Sequence, residues 1–171
     1  MSDFIWVEKY RPTTIDECIL PKSIKQTFQD FVDRGEIPNM LLSGPPGIGK
    51  TTVAKALCNQ LGADYYVING SDEGRFLDTV RTNAKNFAST VSLTSESKHK
   101  VIIIDEADNT TSDVQLLLRA SIEEFSKNCR FIFTCNYKNK IIDPLHSRCT
   151  VVDFSINKKD KPTIATQFFS R

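Results

Sequence analysis

Hydrophobic residues recur along the chain at two spacings, one typical of helices and one typical of strands. Ile24, Phe28, Phe31 and Val32 follow the helical spacing and predict a helix that ends near Gly35. Three further stripes predict helices: Val53, Ala54, Leu57 and Leu61 within 50–61; Phe76, Val80, Ala84 and Phe87; and Val114, Leu117, Leu118, Ile122 and Phe125. Short apolar runs predict five strands, at residues 40–43, 65–69, 101–104, 131–135 and 150–154.

Strands and helices therefore alternate along the chain. This order predicts an α/β fold in which a central parallel sheet of five strands carries helices on both faces. Residues 101–104 are four aliphatics in a row, as expected of a strand buried on both sides. Ligands of such folds bind at the carboxyl ends of the strands. We expect residues 1–155 to form this domain, and residues 156–171 to be a linker that opens a helical domain absent from the chain.

Composition narrows the choice of function only slightly. The chain has 171 residues, 40% of them hydrophobic and 25% charged, with a net charge of +1. These are ordinary globular values, and the bulk charge neither supports nor excludes a nucleic-acid partner. No apolar run reaches the eighteen or so residues of a membrane span, and the first residues have no apolar signal core. The five cysteines form no metal-binding spacing, so we expect buried thiols in a reducing compartment, the cytoplasm, or the host cytoplasm if the protein is viral.

A glycine-rich loop is the most specific motif in the sequence. Residues 44–51 are Gly44, Pro45, Pro46, Gly47, Ile48, Gly49, Lys50 and Thr51, and Thr52 follows them in the predicted helix. The loop has the pattern Gly-x-x-x-x-Gly-Lys-Thr between a strand and a helix, which indicates a cradle for the phosphates of ATP. Lys50 is expected to reach the outer phosphates, and the Thr51 hydroxyl to bind Mg²⁺. The alternative is a glycine turn without a ligand.

A pair of carboxylates follows the apolar run 101–104. Asp105 is placed to hold Mg²⁺ through water, and Glu106 to polarise the water that attacks the γ-phosphate. Many strands end in solvated acidic turns, so the run is informative only together with the glycine-rich loop. Glu106 favours hydrolysis over transfer to a second nucleotide, because it supplies a base for water.

The order of these motifs resembles the replication factor C family, the small clamp-loader subunits of eukaryotes, archaea and T-even-like phages. The resemblance spans residues 6–157 and rests on Val7 to Pro12, the loop 44–51, the acidic run, Thr134-Cys135-Asn136 and Ser147-Arg148-Cys149. Blocks 14–21 and 51–58 look most like the phage branch. The resemblance implies an AAA+ P-loop ATPase that acts in DNA replication. It also implies partners: four further subunits in a five-membered spiral, a sliding clamp and primer–template DNA. In the family the chain continues into a helical lid and a collar, which we expect to lie beyond residue 171.

The resemblance also implies roles for individual residues. Tyr10, Arg11 and Pro12, with Glu8 and Lys9 before them, would border the adenine and ribose, unless they are a plain N-terminal arm. Asn136 would hydrogen-bond the γ-phosphate or the attacking water, or else simply favour a turn. Arg148 would be an arginine finger that acts in trans on a neighbour's ATP, or else a surface arginine.

Contacts to DNA and to other subunits are implied less sharply. Arg75 would contact DNA and restrain Glu106 until DNA arrives, with Arg81 as the alternative because the local alignment is inexact. Residues 110–112 resemble a second DNA-facing turn, or an ordinary helix cap. Arg119 and Glu123 would lie toward subunit contacts, or else be solvated helix charges.

Three rival functions remain. A branch-migration motor shares the phosphate loop, the acidic pair and the asparagine, but not the opening residues 8–12 or the Ser-Arg-Cys signature. A nucleotide kinase transfers the phosphate to a second nucleotide and would not need Glu106 as a base for water. A nucleotide-binding scaffold that does not turn over conflicts with Lys50, Glu106 and Asn136, although the chain alone is expected to be a very slow ATPase.

Overall fold

A computed structural model describes residues 14–18, 20–46, 49–71, 79–89 and 100–154 of the chain. In chain order its elements are helix α1 (Lys22–Arg34), β1 (Met40–Ser43), α2 (Lys50–Gln60), β2 (Tyr65–Asn69), α3 (Lys85–Ser89), β3 (Lys100–Asp105), α4 (Ser112–Glu124), β4 (Cys129–Cys135), α5 (Asp143–Arg148) and β5 (Thr150–Asp153). A π-helical turn, Thr79–Ala84, precedes α3, and short 3₁₀ turns follow β3 and β4.

The five strands form one parallel sheet with the order β2-β3-β4-β1-β5. The α/β prediction with five parallel strands is therefore confirmed. The register places Ser43 opposite Cys135, and Asn69 opposite Asp105. The strands thus end at a common edge, and the segments that follow β1, β3 and β4 emerge side by side.

Alternation along the strands divides the core into two layers. One face of the sheet buries Met40, Leu42, Val101 and Ile103 beneath α1 and α2, in a cluster that includes Phe28. The other face buries Leu41, Ile102, Ile104, Phe131 and Phe133 beneath α4 and α5. Because each face of the central strands is covered, the middle of each strand is apolar, as the run 101–104 predicts, and polar residues such as Ser43, Lys100 and Thr134 lie near the strand ends.

Helices α1 and α2 both end at a glycine. Gly35 has φ of 68° and donates its N–H to the Val32 carbonyl, while the Glu36 N–H reaches Phe31, a pattern typical of helix C-termini. Gly62 has φ of 67° just beyond α2. The stop predicted near Gly35 is confirmed, and both turns favour glycine because only glycine adopts this backbone conformation without a steric cost.

Several predicted elements differ in extent from the structure. Strand β3 spans Lys100–Asp105 where 101–104 is predicted, and β5 ends at Asp153 rather than at residue 154. Strand β4 begins at Cys129, two residues before the predicted start, because Cys129 and Arg130 pair with Lys100 and Val101. The third predicted helix begins outside the described residues at Phe76, and its described part is the π-helical turn and α3. Within the described ranges, no helix is both long and apolar enough to cross a membrane.

Candidate nucleotide-binding site

The glycine-rich loop joins β1 to α2 at the carboxyl edge of the sheet. Gly49 has φ of 84° and immediately precedes α2. Added Cβ atoms would meet nothing closer than 4.0 Å there, so the backbone conformation, not space, requires glycine. The amino end of α2 faces the cleft next to the loop, where its free N–H groups favour an anion. Gly47 and Ile48 of the motif lie outside the described residues.

Lys50 is the first residue of α2 and is only 7% exposed. Its ammonium donates to the Gly44 carbonyl at 2.7 Å, the Pro45 carbonyl at 2.9 Å and Asn136 Oδ1 at 3.1 Å. Burial lowers the pKa of Lys50, while the nearby acids Asp108 and Asp105 oppose that shift. The cation is thus held by neutral oxygens, and it would gain most from an anionic partner.

Asp105 stands at the end of β3 between two hydroxyl groups. Thr51 Oγ1 donates to Asp105 Oδ1 at 2.6 Å, and Thr134 Oγ1 donates to the same oxygen at 2.6 Å. The two residues predicted to hold Mg²⁺ are therefore in direct contact, although 54 positions separate them in sequence. This oxygen-only pair fits Mg²⁺. In the described ranges no three His, Cys, Asp or Glu residues cluster as a metal site, so the remaining ligands would be phosphate and water.

Glu106 follows in a left-handed conformation, with φ of 54° and ψ of 46°. It is the one non-glycine residue of the described part with a positive φ. Such a conformation costs on the order of 1 kcal/mol and is found mostly at functional positions. The Glu106 N–H donates to Thr134 Oγ1 at 3.1 Å, and its carbonyl accepts from Asn109 at 3.0 Å. The turn is therefore fixed on both sides.

Asn136 follows β4 and lines the same cleft as Lys50 and Glu106. Asp108 holds its backbone, because one carboxylate oxygen accepts from the N–H groups of Asn136 and Tyr137, each at 3.1 Å. Asp108 is only 8% exposed. A buried carboxylate thus sets the turn that presents the Asn136 amide.

These groups converge on a cleft of about 210 Å³. Its lining consists of Lys50, Thr51, Asp105, Glu106 and Asn136 with Pro46, Gly49, Thr52, Thr134 and Cys135. The cleft therefore unites a cation, a helix amino end, two carboxylates, an amide and hydroxyl groups. This set can bind a phosphate chain with a metal, and can place a base beside it.

Arg148 is the last residue of α5 and is not part of this lining. Its Nε donates to Glu123 Oε1 at 2.7 Å, and Nη1 donates to the Pro144 carbonyl at 3.2 Å. Glu123, expected near subunit contacts, is thus the partner of Arg148, a pairing that the sequence does not reveal. In the described part of the chain, Arg119 Nε is buried without a hydrogen-bond partner.

Other predicted site residues are only partly described. Glu8, Lys9, Tyr10, Arg11, Pro12 and Arg75 lie outside the described residues, and Arg81 is described in its backbone alone, within the π-helical turn. Thr111 caps α4, with its hydroxyl accepting from the Val114 N–H at 3.4 Å. The capping interpretation is therefore confirmed for Thr111, and DNA contact by residues 110–112 stays a prediction.

Three polar residues near the site were missed in the sequence. Thr134 holds the end of β3 and Asp108 holds the end of β4, as described above. Gln115, 1% exposed, accepts from the Ile142 N–H at 2.7 Å and donates to the Lys140 carbonyl at 3.0 Å, which ties α4 to the segment before α5. A polar residue inside an apolar stripe or strand was the available signal for Gln115 and Thr134, whereas Asp108 lies in the turn after β3.

Comparison with known proteins gives one family. The model of the AAA family, "ATPase family associated with various cellular activities", matches residues 40–156. The chain is 44% identical over 172 residues to the replication factor C small subunit of Methanocella arvoryzae, covering 97% of this chain and 53% of that protein. It is 48% identical over 155 residues to the sliding-clamp-loader large subunit of Escherichia phage RB69, covering 90% and 47%. The chain thus spans about half the length of these curated relatives.

Solved structures support the fold. The RuvB Holliday junction branch migration motor of Thermotoga maritima superposes with a TM-score of 0.66 at 23% identity, covering 94% of this chain and 54% of that one. At this identity the likeness concerns the fold alone.

Proposed function

The chain belongs to the AAA family of ATPases, and on this premise we propose that it is the ATP-hydrolysing part of a sliding-clamp-loader subunit that acts in DNA replication. One observation carries the proposal: Lys50, the Thr51–Asp105 pair, Glu106 and Asn136 line a single cleft. The similarity to the relatives from Methanocella arvoryzae and phage RB69 supports the clamp-loader assignment.

ATP binding would proceed by exchange of partners at Lys50. Its ammonium leaves the carbonyls of Gly44 and Pro45 and bonds to the outer phosphates, while the amino end of α2 receives the same phosphate chain. An ion pair replaces contacts with neutral oxygens, and hydrogen bonds between charged groups are roughly twice as strong. Release of Lys50 also frees the Asn136 amide to turn toward the γ-phosphate.

Hydrolysis would use the two residues that flank the phosphate. Glu106 accepts a proton from water, and Asn136 orients that water for attack on the γ-phosphorus. The bond from phosphorus to the bridging oxygen breaks, and ADP and phosphate leave. Thr51 and Asp105 would hold Mg²⁺, which neutralises the charge that develops on the phosphate oxygens.

Arg148 would complete the site of a neighbouring subunit. It lies on α5 and does not line its own cleft, so it is available to a second chain. Its bond to Glu123 holds the guanidinium in place. A guanidinium supplied in this way stabilises the transition state by about 10³-fold or more in rate. Function in trans requires an oligomer, and we infer a five-membered spiral on an open clamp and primer–template DNA.

DNA would trigger the reaction through the segment after β2. The Gly70 N–H donates to the Asp105 carbonyl at 2.7 Å, and a Cβ on Gly70 would lie 2.5 Å from the Glu106 carbonyl oxygen. The segment that leads to Arg75 thus begins in contact with the Asp105–Glu106 turn. We propose that DNA contact near Arg75 frees Glu106 to act, with Arg81 as the alternative residue.

The nucleotide assignment is tested by calorimetric ATP binding to the 171-residue chain. Lys50→Ala should weaken ATP binding by about tenfold or more, because a hydrogen bond between charged groups contributes ~1.5–3 kcal/mol. Lys55→Ala, on the same helix, should bind like the unaltered chain. Equal affinity of all three would remove Lys50 from the site.

The switch is tested in the assembled loader, with all subunits and clamp present. Arg75→Ala should raise the ATPase rate without DNA and remove most of the stimulation by DNA. DNA stimulation that is unchanged by Arg75→Ala and lost in Arg81→Ala would move the role to Arg81. Stimulation unchanged in both variants would refute the switch.

A further inference from the structure

The hydroxyl of Thr134 contacts both acidic residues of the proposed ATPase site. Thr134 lies in β4, two positions before Asn136, and is 2% exposed. Its Oγ1 donates to Asp105 Oδ1 at 2.6 Å and accepts from the Glu106 N–H at 3.1 Å. One hydroxyl therefore uses its single proton on one carboxylate, and a lone pair on the backbone of the next residue.

Packing alone does not explain a threonine here. The neighbouring β4 residues Phe131, Ile132, Phe133 and Cys135 are all buried and apolar. Valine has nearly the same shape and avoids the free-energy cost of burying a hydroxyl, about 1–3 kcal/mol when it is unpaired. The polar atom is therefore explained by its two bonds.

Those bonds fix the Asp105 carboxylate and the Glu106 backbone, the two groups whose positions the proposed reaction requires. Thr51 also donates to Asp105 Oδ1, but Thr51 has a second proposed task as a metal ligand. Within the described part of the chain these are the two bonds of the Thr134 hydroxyl, so it can hold the Asp105 carboxylate throughout the reaction. Its second bond fixes the left-handed backbone of Glu106, which is the less favoured conformation for a residue with a side chain.

The opposite connection exists as well. Asp108, in the turn after Glu106, accepts the N–H groups of Asn136 and Tyr137. Thus the Thr134 hydroxyl of β4 bonds to the turn after β3, and the Asp108 carboxylate of that turn bonds to the end of β4. The two contacts lock the relative position of the acidic pair and the Asn136 amide.

We propose that Thr134 is a positioning residue of the ATPase site, which orients Asp105 toward the metal and fixes the backbone of Glu106. The proposal rests on the proposed nucleotide function. A positioning role differs from a stability role in what it changes. Loss of the hydroxyl should reduce the gain in ATP affinity that Mg²⁺ provides, and should leave the ATP affinity without metal unchanged.

The test compares Thr134→Val, which keeps the shape, with Thr134→Ser, which keeps the hydroxyl. ATP affinity of the 171-residue chain is measured by calorimetry with Mg²⁺ and with a chelator. Thr134→Val should lose about tenfold of the affinity gained from Mg²⁺, the usual effect of removing a group that orients a metal ligand. Its affinity without metal should stay within about twofold, and Thr134→Ser should behave like the unaltered chain. Thr150→Val, at an exposed strand position, controls for the substitution itself.

A second readout needs no nucleotide. Hydrogen exchange of the Glu106 amide should be about tenfold or more faster in Thr134→Val than in Thr134→Ser, because only serine retains its acceptor. Thr134→Ala replaces the valine variant in both experiments if the latter does not fold.

The outcomes separate the two proposals. A valine variant with the full Mg²⁺ effect and a protected Glu106 amide overturns the role of Thr134, while the ATPase assignment stands. Equal losses in the serine and valine variants also overturn it, because the hydroxyl is then not the cause. An unaltered chain that gains no ATP affinity from Mg²⁺ overturns both proposals.

Discussion

Asp108 offers the sharpest test of how the two strand ends are joined. The carboxylate is buried, and a single oxygen accepts from the N–H groups of Asn136 and Tyr137, each at 3.1 Å. Asp108→Ala removes both bonds and leaves two N–H groups without their acceptor. Asp108→Asn keeps an oxygen in the same place but removes the charge. The pair of variants therefore separates the loss of the acceptor from the loss of the charge.

The magnitude follows from the two bonds. A hydrogen bond to a charged group contributes ~1.5–3 kcal/mol, and two bonds to one oxygen do not add fully, so Asp108→Ala should destabilise the fold by about 3 kcal/mol. At ~3 °C per kcal/mol for a chain of this size, the melting temperature should fall by about 9 °C. Asp108→Asn, which still accepts both bonds, should lose only ~1 kcal/mol, or about 3 °C.

The assay is thermal unfolding followed by circular dichroism at neutral pH. Glu124→Ala, an exposed acid at the end of α4, is the control and should change stability by about 0.5 kcal/mol or less. A melting temperature for Asp108→Ala within about 2 °C of the unaltered chain would show that water replaces the carboxylate at no cost. The argument that Asp108 sets the position of Asn136 would then fail.

Four further predictions concern stability and reactivity. Gln115→Ala leaves three backbone groups without their side-chain partner and should lower the free energy of unfolding in urea by about 3 kcal/mol; a loss below ~1 kcal/mol would contradict this. Burial raises the pKa of Cys58 and of Cys129 to about 12, so at pH 8 native thiols should react with a disulfide reagent about a thousandfold more slowly than in urea, and equal rates would refute their burial. Because these pKa values are raised, the thiols stabilise the fold fully below pH ~9 and less as the pH rises toward ~12, which urea unfolding at pH 8 and pH 10 measures. The Arg148–Glu123 pair is largely exposed, so Arg148→Ala should shift the melting temperature by no more than about 2 °C, and a fall of ~6 °C would show a structural role.

Local patterns made much of the fold and half of the site predictable. The strands at 40–43 and 65–69 have the predicted bounds, because each apolar run is closed by residues that cannot continue it. The phosphate loop is likewise local, since its glycines and Lys50 follow one another in sequence. Its proximity to Asp105 was inferred from the rule that parallel strands end at one edge, and the 2.6 Å contact with Thr51 confirms that proximity.

Contacts that depend on strand order and register were not predictable in the same way. Thr134 reads as an ordinary strand residue until β3 and β4 are neighbours, with Ile104 opposite Phe133. The Glu123–Arg148 pair requires α4 to pack near α5, and a helix charge alone does not reveal its partner. Gln115 was hidden in an apolar stripe, because two of its three backbone partners, Lys140 and Ile142, lie 25 and 27 residues away. Each of these contacts is set by packing between elements, which no short sequence window contains.

The most direct test of the central claim is the steady-state ATPase rate of this chain, extended to the full length of its relatives and assembled with its partner subunits. The rate is measured alone, with clamp, with primer–template DNA, and with both. We expect stimulation by each, the highest rate with both together, and loss of that rate in Glu106→Gln. ATP binding without stimulation by clamp or DNA would contradict the clamp-loader assignment and leave only a nucleotide-binding AAA domain.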